Sequence, residues 1–401
     1  MLSQQHIAVI NATVSAVGAH ARDITDHFYP LMFERYPEVK DYFNQANQKR
    51  GTQRQALANA VVAYASNIER LEVLGDAVSL IAHKHCSLGI LPEHYPIVGE
   101  CLLAAISAVL GDAATDEVLE AWGAAYGQLS DILIGAEESI YQDNSERSGG
   151  WRGERTFKVA AKTSESDVID SFHLLPVEGE QVIDFQAGQY VGLVMTIDGQ
   201  VVRRNYSLSE APGNPGIRIS VKREPGGVVS NYLHDHLNIG DQIEVTAPCG
   251  DFVLAESERP LVLVTGGVGI TPAISMLNAS VKSGREIIFI HAALNSSAHA
   301  FKQHVDNVAK DHQQVKRMYV YNEPLAEDTP HATGFISEAL LADCLPEDRD
   351  VDFYFLGPKP FMQAVNAHVK ALAIPAEQVH FEFFGPLQEL DVASEKEEVA
   401  A

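Results

Sequence analysis

The fold is decided by the stretch LVLVTGGVGITPAISML, residues 261–277. An apolar run is followed by a glycine-rich turn and then by apolar residues at helical spacing, which predicts a buried strand, a tight turn and a helix. Gly267 and Gly269 would let the backbone approach a phosphate closely, and the helix would offer its N-terminal N–H groups to the negative charge. Pro272 stands where a dinucleotide-binding fingerprint has its third glycine. The turn alone also fits an ordinary strand–helix connection.

The same alternation of strand and helix continues over residues 258–388. Apolar strand-like runs such as REIIFIHAA and VDFYFLGP are separated by helical segments such as AFKQHVDNVAKDH. Apolar strands between helices are typical of a doubly wound parallel sheet, which binds ligands at the carboxyl ends of its strands. We therefore expect an α/β nucleotide-binding domain, followed by an acidic tail over residues 389–401.

Upstream, over residues 153–257, short apolar runs have a period of two. Six such runs, FKVAAKT and GIRISVKRE among them, are separated by turn signals such as APGNPG. This spacing predicts an antiparallel β-barrel or sandwich. A Ser/Gly-rich segment over residues 141–152 is expected to be a linker.

Two motifs of this β domain carry groups that suit a large anionic cofactor. In RRNYSLSE, residues 203–210, strand alternation places Arg204 and Tyr206 on one face and Ser207 on the other. In VKREPGGVVSNYLHD, a glycine pair precedes Ser230 at an expected helix start, which is another anion-binding arrangement. A flavin dinucleotide needs a cation for its pyrophosphate and an aromatic wall for its ring. Either motif alone also fits a plain half-buried strand or turn.

Taken in order, Arg-x-Tyr-Ser, Gly-Gly-x-x-Ser, Gly-x-Gly-x-x-Pro and a late Gly-Pro turn resemble the ferredoxin-NADP reductase family. The resemblance implies an FAD-binding β-barrel followed by an NAD(P)H-binding domain. The residues it implies for FAD are Tyr190, Arg204, Asn205, Tyr206, Ser207, Gly227, Ser230, Phe383, Phe384, Gly385 and Pro386. Those it implies for NAD(P) are Gly267, Val268, Gly269, Ile270, Thr271 and Pro272. The effect of Leu356 and Phe383 on hydride transfer is left open, as is the choice between NADH and NADPH.

Residues 1–140 have apolar residues at helical spacing and few strand signals, which predicts an all-helical domain. One helical pattern runs from Ile7 to Tyr36. Prolines are expected to separate the helical segments, and they are Pro30, Pro37, Pro92 and Pro96.

Two histidines stand close together in SLIAHKHCSLGI, residues 79–90. At about 100° per residue, His83 and His85 point roughly 200° apart on one helix. His85 continues the apolar stripe through Val78 and Ile81 and is predicted to face inward, whereas His83 is predicted to face solvent. An inward His can be a hydrogen-bonded core residue or a metal ligand.

Other residues favour the metal ligand. Phe43 at a corner, Gln53 one turn before Leu57, and His85 about thirty residues later resemble the globin fold. Globins hold haem between such helices on a proximal His. Tyr29 lies in an apolar stripe upstream of these residues.

A globin domain followed by an FAD and nicotinamide module resembles the flavohaemoglobin family, known as nitric oxide dioxygenases. The resemblance implies haem b, FAD, and NADH or NADPH as cofactors, and nitric oxide and O₂ as substrates. Its implied haem-side residues are His85 as proximal ligand, Tyr95 and Glu137 in a hydrogen-bonded relay, Tyr29, Gln53 and Leu57 on the distal side, Phe43 in the pocket, and Lys84 and Glu382 as redox-tuning residues. Such a relay raises the basicity of a ligand His. The alternatives are an oxygen or nitric oxide sensor, and a reductase of flavins, ferric iron or lipid hydroperoxides.

Charge and composition limit the partners. The chain has 54 acidic and 29 basic residues, a net charge of −25, so its surface repels nucleic acid. Four cysteines without a CxxC pair argue against a zinc site, an iron–sulfur cluster or disulfides. The N-terminus lacks the features of a signal peptide, and we find no apolar run of about 18 residues. We therefore expect a cytoplasmic protein with no membrane span. We also expect a monomer, although these features do not bear on the oligomeric state.

Overall fold

The computed structural model describes residues 2–43, 52–179 and 181–385. Its N-terminal domain is helical, as predicted. Its α-helices are α1 Gln4–Ala19, α2 Ala21–Arg35, α3 Thr52–Ser66, α4 Gly75–Leu88, α5 His94–Leu110 and α6 Asp116–Glu146. Short 3-10 helices lie at Pro37–Tyr42, Leu71–Leu74 and Gly111–Ala113. The core of this domain is formed by buried side chains from α1, α2, α3, α5 and α6, among them Phe28, Ile106 and Trp122.

The expected helix from Ile7 to Tyr36 is in fact two helices. The chain leaves helical geometry at His20, which ends α1 and precedes α2. Pro30 was expected to separate helices but lies inside α2. The proline removes one backbone hydrogen bond, yet Phe28 and Met32 on either side of it are buried. Tertiary packing of this apolar face therefore outweighs the local cost of the proline.

The last globin-domain helix is longer than predicted. Helix α6 ends at Glu146, so residues 141–146 are helical where a linker was expected. Tyr141 donates a hydrogen bond to the carbonyl of Ile90 at 2.8 Å, and Asn144 donates one to the carbonyl of Pro248 at 3.1 Å. These contacts hold the last turns of α6 against α4 and the next domain, which the local sequence could not indicate.

Within the part of the chain that the structure describes, one helix has the length and composition of a membrane span. The segment His94–Ala113, which contains α5, has a mean hydropathy of 1.6. The core helix of a soluble protein passes the same test, and α5 packs between α2 and α6. The expected absence of a membrane span stays a prediction.

The second domain is an antiparallel barrel, as predicted. Its strands are β1 Glu154–Ser166, β2 Ile169–Pro176, β3 Tyr190–Ile197, β4 Gln200–Ser207, β5 Ile217–Lys222 and β6 Gln242–Thr246, with helix α7 Val228–His236 between the last two. The strand order is β4-β3-β6-β1-β2-β5. A further antiparallel bridge between Leu208 and Ile219 joins the two outer strands, β4 and β5, and closes the sheet.

The third domain contains the predicted parallel sheet. Its elements are β7 Leu261–Gly266, α8 Ile270–Ser280, β8 Ile287–Ala293, α9 Lys302–Asp311, β9 Val315–Tyr321, β10 Ala332–Thr333, α10 Glu338–Cys344, β11 Asp352–Leu356, α11 Lys359–Ala371 and β12 Val379–Phe381. The strand order β10-β9-β8-β7-β11-β12 puts the glycine-rich turn after a central strand. The carboxyl ends of β7 and β11 therefore lie side by side, at the position where such sheets bind nucleotides.

The globin domain rests on the barrel through α4. The carbonyl of Ser87 accepts a hydrogen bond from Thr246 at 3.1 Å, and the Ser87 hydroxyl accepts one from Asn205 at 2.8 Å. Gly192 of β3 lies so close that a Cβ there would be 2.0 Å from the Ser87 carbonyl oxygen. The helix that carries His85 is therefore fixed directly against the barrel.

Candidate functional site

A single cavity of about 1330 Å³ extends from the globin domain along the barrel to the third domain. His85 and Tyr29 line its globin end, Tyr206 its barrel side and Thr271 its far end. Predicted residues of the haem, FAD and nicotinamide sites therefore line one connected space. A haem and a flavin bound there would be neighbours.

His85 lies on α4 and faces this cavity from within a hydrogen-bonded cluster. Its Nδ1 is 2.7 Å from a carboxylate oxygen of Glu137 and 3.1 Å from the hydroxyl of Tyr95. Tyr95 donates a further short hydrogen bond to the same oxygen of Glu137. With Nδ1 engaged, Nε2 is the nitrogen that remains for an iron atom. The relay that the resemblance implies is present, and its effect on the iron stays a prediction.

The relay is buried. Glu137 is only 2% exposed, and burial, together with its hydrogen bond to Glu137, raises the pKa of Tyr95 well above its usual value. Tyr95 therefore stays protonated and donates. Tyr126 supports it by donating to its backbone carbonyl at 2.7 Å. Tyr126 was not predicted from the sequence, because a contact to a backbone carbonyl leaves no motif.

The predicted distal residues come from α2, α3 and the corner between them. Tyr29, Phe43, Gln53 and Leu57 all line the cavity that His85 faces. The rings of Tyr29 and Phe43 meet edge to face with centroids 5.7 Å apart. Such packing holds the tyrosine ring at the wall of the cavity.

The prediction that His83 faces solvent is wrong. His83 is half-buried, and its Nδ1 has no hydrogen-bond partner among the described residues. Burial lowers the pKa of His83, while the nearby Asp251 of the barrel opposes that shift. Helical phase correctly placed His83 opposite His85, but the barrel covers that side of α4.

Lys84 and Glu382 meet at the junction of the three domains. Lys84 donates to the carbonyl of Gly385 at 2.8 Å. Burial lowers the pKa of Lys84, and the carboxylates of Glu382 and Asp251 raise it in part. Burial raises the pKa of Glu382 to about 7, against the opposing effect of Lys84. A carboxyl group near the flavin residues is thus poised to change its charge near neutral pH.

Most of the predicted FAD residues line the large cavity. Those that line it are Tyr190, Arg204, Asn205, Tyr206, Ser207, Ser230, Phe383, Phe384 and Gly385. Gly227 precedes α7 as its N-cap residue. Asn205 also donates to Ser87 of the globin domain. Pro386 lies outside the described residues, as does the acidic tail.

The glycine-rich turn is built as predicted. Gly267 has a positive φ of 54° and begins a 3-10 turn that leads into α8. At Gly269, a Cβ would lie 2.3 Å from the carbonyl oxygen of Leu356, so only glycine allows β7 and β11 to end so close together. Val268 and Thr271 line the large cavity. A second, small pocket touches Gly269 and Pro272.

Ile270, like Gly267, lines neither of these two pockets. Its side chain is completely buried in the apolar core of the third domain. It can therefore approach a nucleotide only through its backbone. Its apolar side chain fixes the start of α8 on the sheet, which is a packing role that the motif did not distinguish from binding.

The residues present fit the implied cofactors. Within the described residues, no cluster of three or more His, Cys, Asp or Glu side chains could hold a metal ion directly. A haem iron needs only a proximal ligand from the protein, and His85 offers one. On the barrel side, Arg204 supplies a positive charge and Tyr206 an aromatic ring, as an anionic flavin dinucleotide requires.

Comparison with known families assigns each domain. A model described as "Globin" matches residues 26–133. One described as "Oxidoreductase FAD-binding domain" matches residues 156–254, and one described as "Oxidoreductase NAD-binding domain" matches residues 263–367. These matches confirm the predicted order of domains and their cofactors, haem, FAD and a nicotinamide nucleotide.

Full-length relatives have the same organisation. The chain is 53% identical to a flavohemoprotein of Burkholderia sp. (strain TH2) and to another of Pseudomonas aeruginosa, covering 98% of this chain and all of each relative. A flavohemoglobin structure from Malassezia yamatoensis with bound FAD and heme superposes with a TM-score of 0.86 at 26% identity, over 96% of this chain and 100% of that one. The FAD/NAD-binding domain of a nitric oxide dioxygenase from Vibrio cholerae superposes with a TM-score of 0.54 at 37% identity, over 58% of this chain and 99% of that one.

Proposed function

Because the chain belongs to the flavohaemoglobin family, we propose that it is an NAD(P)H-dependent nitric oxide dioxygenase, which converts nitric oxide and O₂ to nitrate. The observation that carries the proposal is the connected cavity. It joins a proximal His85, a distal Tyr29 and Gln53, and the flavin-side residues Tyr206 and Phe383. An oxygen carrier would need only the globin end of this space.

The reaction balances with the cofactors that the domains imply. Two molecules of nitric oxide and two of O₂ take up two electrons to give two nitrate ions. One hydride from NADH or NADPH supplies both electrons, and one proton is released. FAD, when bound, converts a hydride into single electrons, and haem supplies the site for O₂ and nitric oxide.

The side chains have distinct tasks in this reaction. The Nδ1–H group of His85 donates a charge-assisted hydrogen bond to the carboxylate of Glu137. This bond makes Nε2 of His85 a stronger electron donor. The hydroxyl of Tyr29 and the amide of Gln53 provide polar groups on the opposite side of the cavity, where they can stabilise developing negative charge. The glycine-rich turn with Thr271 positions the nicotinamide nucleotide next to the flavin residues.

The test is a steady-state measurement of nitric oxide consumption with an electrode. Consumption should require both O₂ and NADH or NADPH, and nitrate should be the product in the ratio given above. Consumption that persists without NADH and NADPH, or without O₂, would contradict the dioxygenase and favour a sensor or a reductase with a secondary globin.

Two neighbouring histidines provide a matched pair of variants. His85→Ala should lose haem and nitric oxide consumption, while NADH still reduces the flavin. His83→Ala should keep its haem, because this residue faces the barrel. Stoichiometric haem in His85→Ala, measured by absorbance, would contradict the assignment of His85 as the proximal haem ligand. The cytoplasmic location and monomeric state stay predictions from the sequence.

A further inference from the structure

Arg203 belongs to the FAD barrel, but its side chain is directed toward the globin domain. It lies on β4 next to Arg204, and adjacent residues of a strand point to opposite faces. Arg204 and Tyr206 share the face that carries the flavin-side residues. Arg203 shares the other face with Asn205, whose amide donates to Ser87 of α4 at 2.8 Å.

The Arg203 guanidinium lies at the rim of the globin end of the cavity. Its central carbon is 4.9 Å from the ring centroid of Tyr42, which in turn packs on His94 with centroids 4.5 Å apart. A Cβ at Gly89, just after α4, would lie 3.3 Å from Nη1 of Arg203. Arg203, Tyr42 and His94 line the same cavity as His85.

This guanidinium is buried and incompletely paired. The side chain is 11% exposed, and Nη1 lies 2.8 Å from a carboxylate oxygen of Glu154. Nε and Nη1 are nevertheless buried without a properly oriented hydrogen bond to any described residue. A buried charge is costly unless hydrogen bonds satisfy it. The exposed part of the side chain lines the cavity, so a second anionic partner can reach the guanidinium from that side.

Haem brings such an anion, since its apolar macrocycle carries two propionate carboxylates. The nearby carboxyl end of α4 has the negative pole of the helix dipole, which disfavours a carboxylate. His94 cannot readily compensate, because its Nδ1 accepts a hydrogen bond from the backbone of Leu91 and burial lowers its pKa. A permanent positive charge must come from elsewhere, and Arg203 supplies one at this rim.

We propose that Arg203 of the FAD barrel binds a haem propionate, so that the haem is held jointly by the globin domain and the flavin domain. The flavin domain then contributes to haem retention as well as to electron supply. This interaction would also fix the haem edge relative to the barrel. The proposal concerns the cofactor and does not depend on the substrate of the enzyme.

The test follows haem transfer from the holoenzyme to an excess of apomyoglobin. Arg203→Met should lose haem about tenfold faster than the wild type, the factor that corresponds to about 1.4 kcal/mol and to the lower end of a charged hydrogen bond. Arg203→Lys should restore part of the retention because it keeps the charge. The midpoint potential of the haem should also fall in Arg203→Met, since an uncompensated propionate stabilises the ferric state.

Protein reconstituted with haem dimethyl ester, which has no propionate charge, gives the decisive comparison. Arg203→Met and the wild type should release this ester at the same rate. The matched control is Arg152→Met, which breaks a bidentate ion pair with Glu138 on α6 away from the cavity. It should release haem at the wild-type rate.

Two outcomes would overturn the proposal. One is wild-type retention of natural haem in Arg203→Met. The other is equally accelerated loss of haem and of its dimethyl ester, which would show that Arg203 only holds the domains together. The measurement uses neither nitric oxide nor a nicotinamide, so either failure would leave the proposed reaction untouched.

Discussion

Glu137 is a buried carboxylate that receives hydrogen bonds from both His85 and Tyr95 on one oxygen atom. It holds the imidazole in one orientation and keeps negative charge beside it. The hydroxyl of Tyr95 reinforces this arrangement, because burial and Glu137 together keep it protonated. The charge of Glu137, more than its shape, should therefore matter for the electron-donating strength of His85.

We predict that Glu137→Gln lowers the rate of nitric oxide consumption about 10- to 100-fold, the usual cost of losing a partner of a metal-ligating His. The amide keeps an oxygen acceptor but removes the charge. The midpoint potential of the haem, measured by spectroelectrochemistry, should rise because His85 donates less electron density to the iron. Glu138→Gln, a change in the exposed neighbour that pairs with Arg152, is the control and should leave both quantities unchanged. Equal effects of the two substitutions would contradict this role.

At the scale of single residues, the sequence predicted those side-chain directions that follow from the geometry of one helix or strand alone. Helical phase selected His85, since the apolar stripe on α4 is a local property. It could not show that the barrel covers His83, or that Arg203 reaches across to Tyr42. Both contacts depend on how separate domains pack. Tyr126 was missed for the same kind of reason, because its partner is a backbone carbonyl.

At the scale of elements, the turn from β7 into α8 depends on a close backbone approach. Gly269 lies against the carbonyl of Leu356 at the end of β11. Since the two strands are neighbours in the sheet, their ends must converge where the nucleotide phosphates are expected. A side chain at Gly269 would push these ends apart.

We predict that Gly269→Ala slows reduction of the flavin by NADH and destabilises the third domain by about 1–3 kcal/mol, as overpacking does. The added methyl would lie 2.3 Å from the Leu356 oxygen, so the turn must move. Stopped-flow absorbance measures flavin reduction, and calorimetry measures the stability. Haem content should not change.

The matched control is Gly135→Ala in the middle of α6, where no atom lies within 4 Å of an added Cβ. This substitution should stabilise the globin domain by about 0.5–1 kcal/mol, because alanine loses less backbone entropy in a helix. If Gly269→Ala reduced its flavin as fast as Gly135→Ala does, the close approach would have no bearing on nicotinamide binding.

A helix or strand could be predicted where its own sequence shows which of its side chains are buried. All six barrel strands were recognised, because short β-like runs between turn signals are a local property of the sequence. Strand β10 was not, since it has only two residues and exists through its pairing with β9. The prediction that Pro30 separates two helices was wrong, because the packing of Phe28 and Met32 in α2 outweighs the missing backbone hydrogen bond.

At the scale of the whole molecule, electron transfer from flavin to haem requires the globin domain to stay in close contact with the barrel. The contact centres on Ser87, whose carbonyl and hydroxyl bind Thr246 and Asn205 of the barrel. The relative placement of the domains had no signature in the sequence, although their order did. The same contact explains why β3 has a glycine, Gly192, in a strand whose other residues are mostly bulky and buried.

We predict that Gly192→Ala slows reduction of the haem but not reduction of the flavin. The new Cβ would lie 2.0 Å from the Ser87 carbonyl oxygen and 2.7 Å from the hydroxyl oxygen of Thr246, so α4 must withdraw from the barrel. NADH should reduce the flavin at the wild-type rate, but the haem should be reduced more slowly, and the docked arrangement should lose about 1–3 kcal/mol. Stopped-flow absorbance under anaerobic conditions resolves the two steps. Thr196→Ala, an exposed change on the same strand, should leave both rates as they are. Wild-type haem reduction in Gly192→Ala would show that the close contact between α4 and β3 does not control electron transfer.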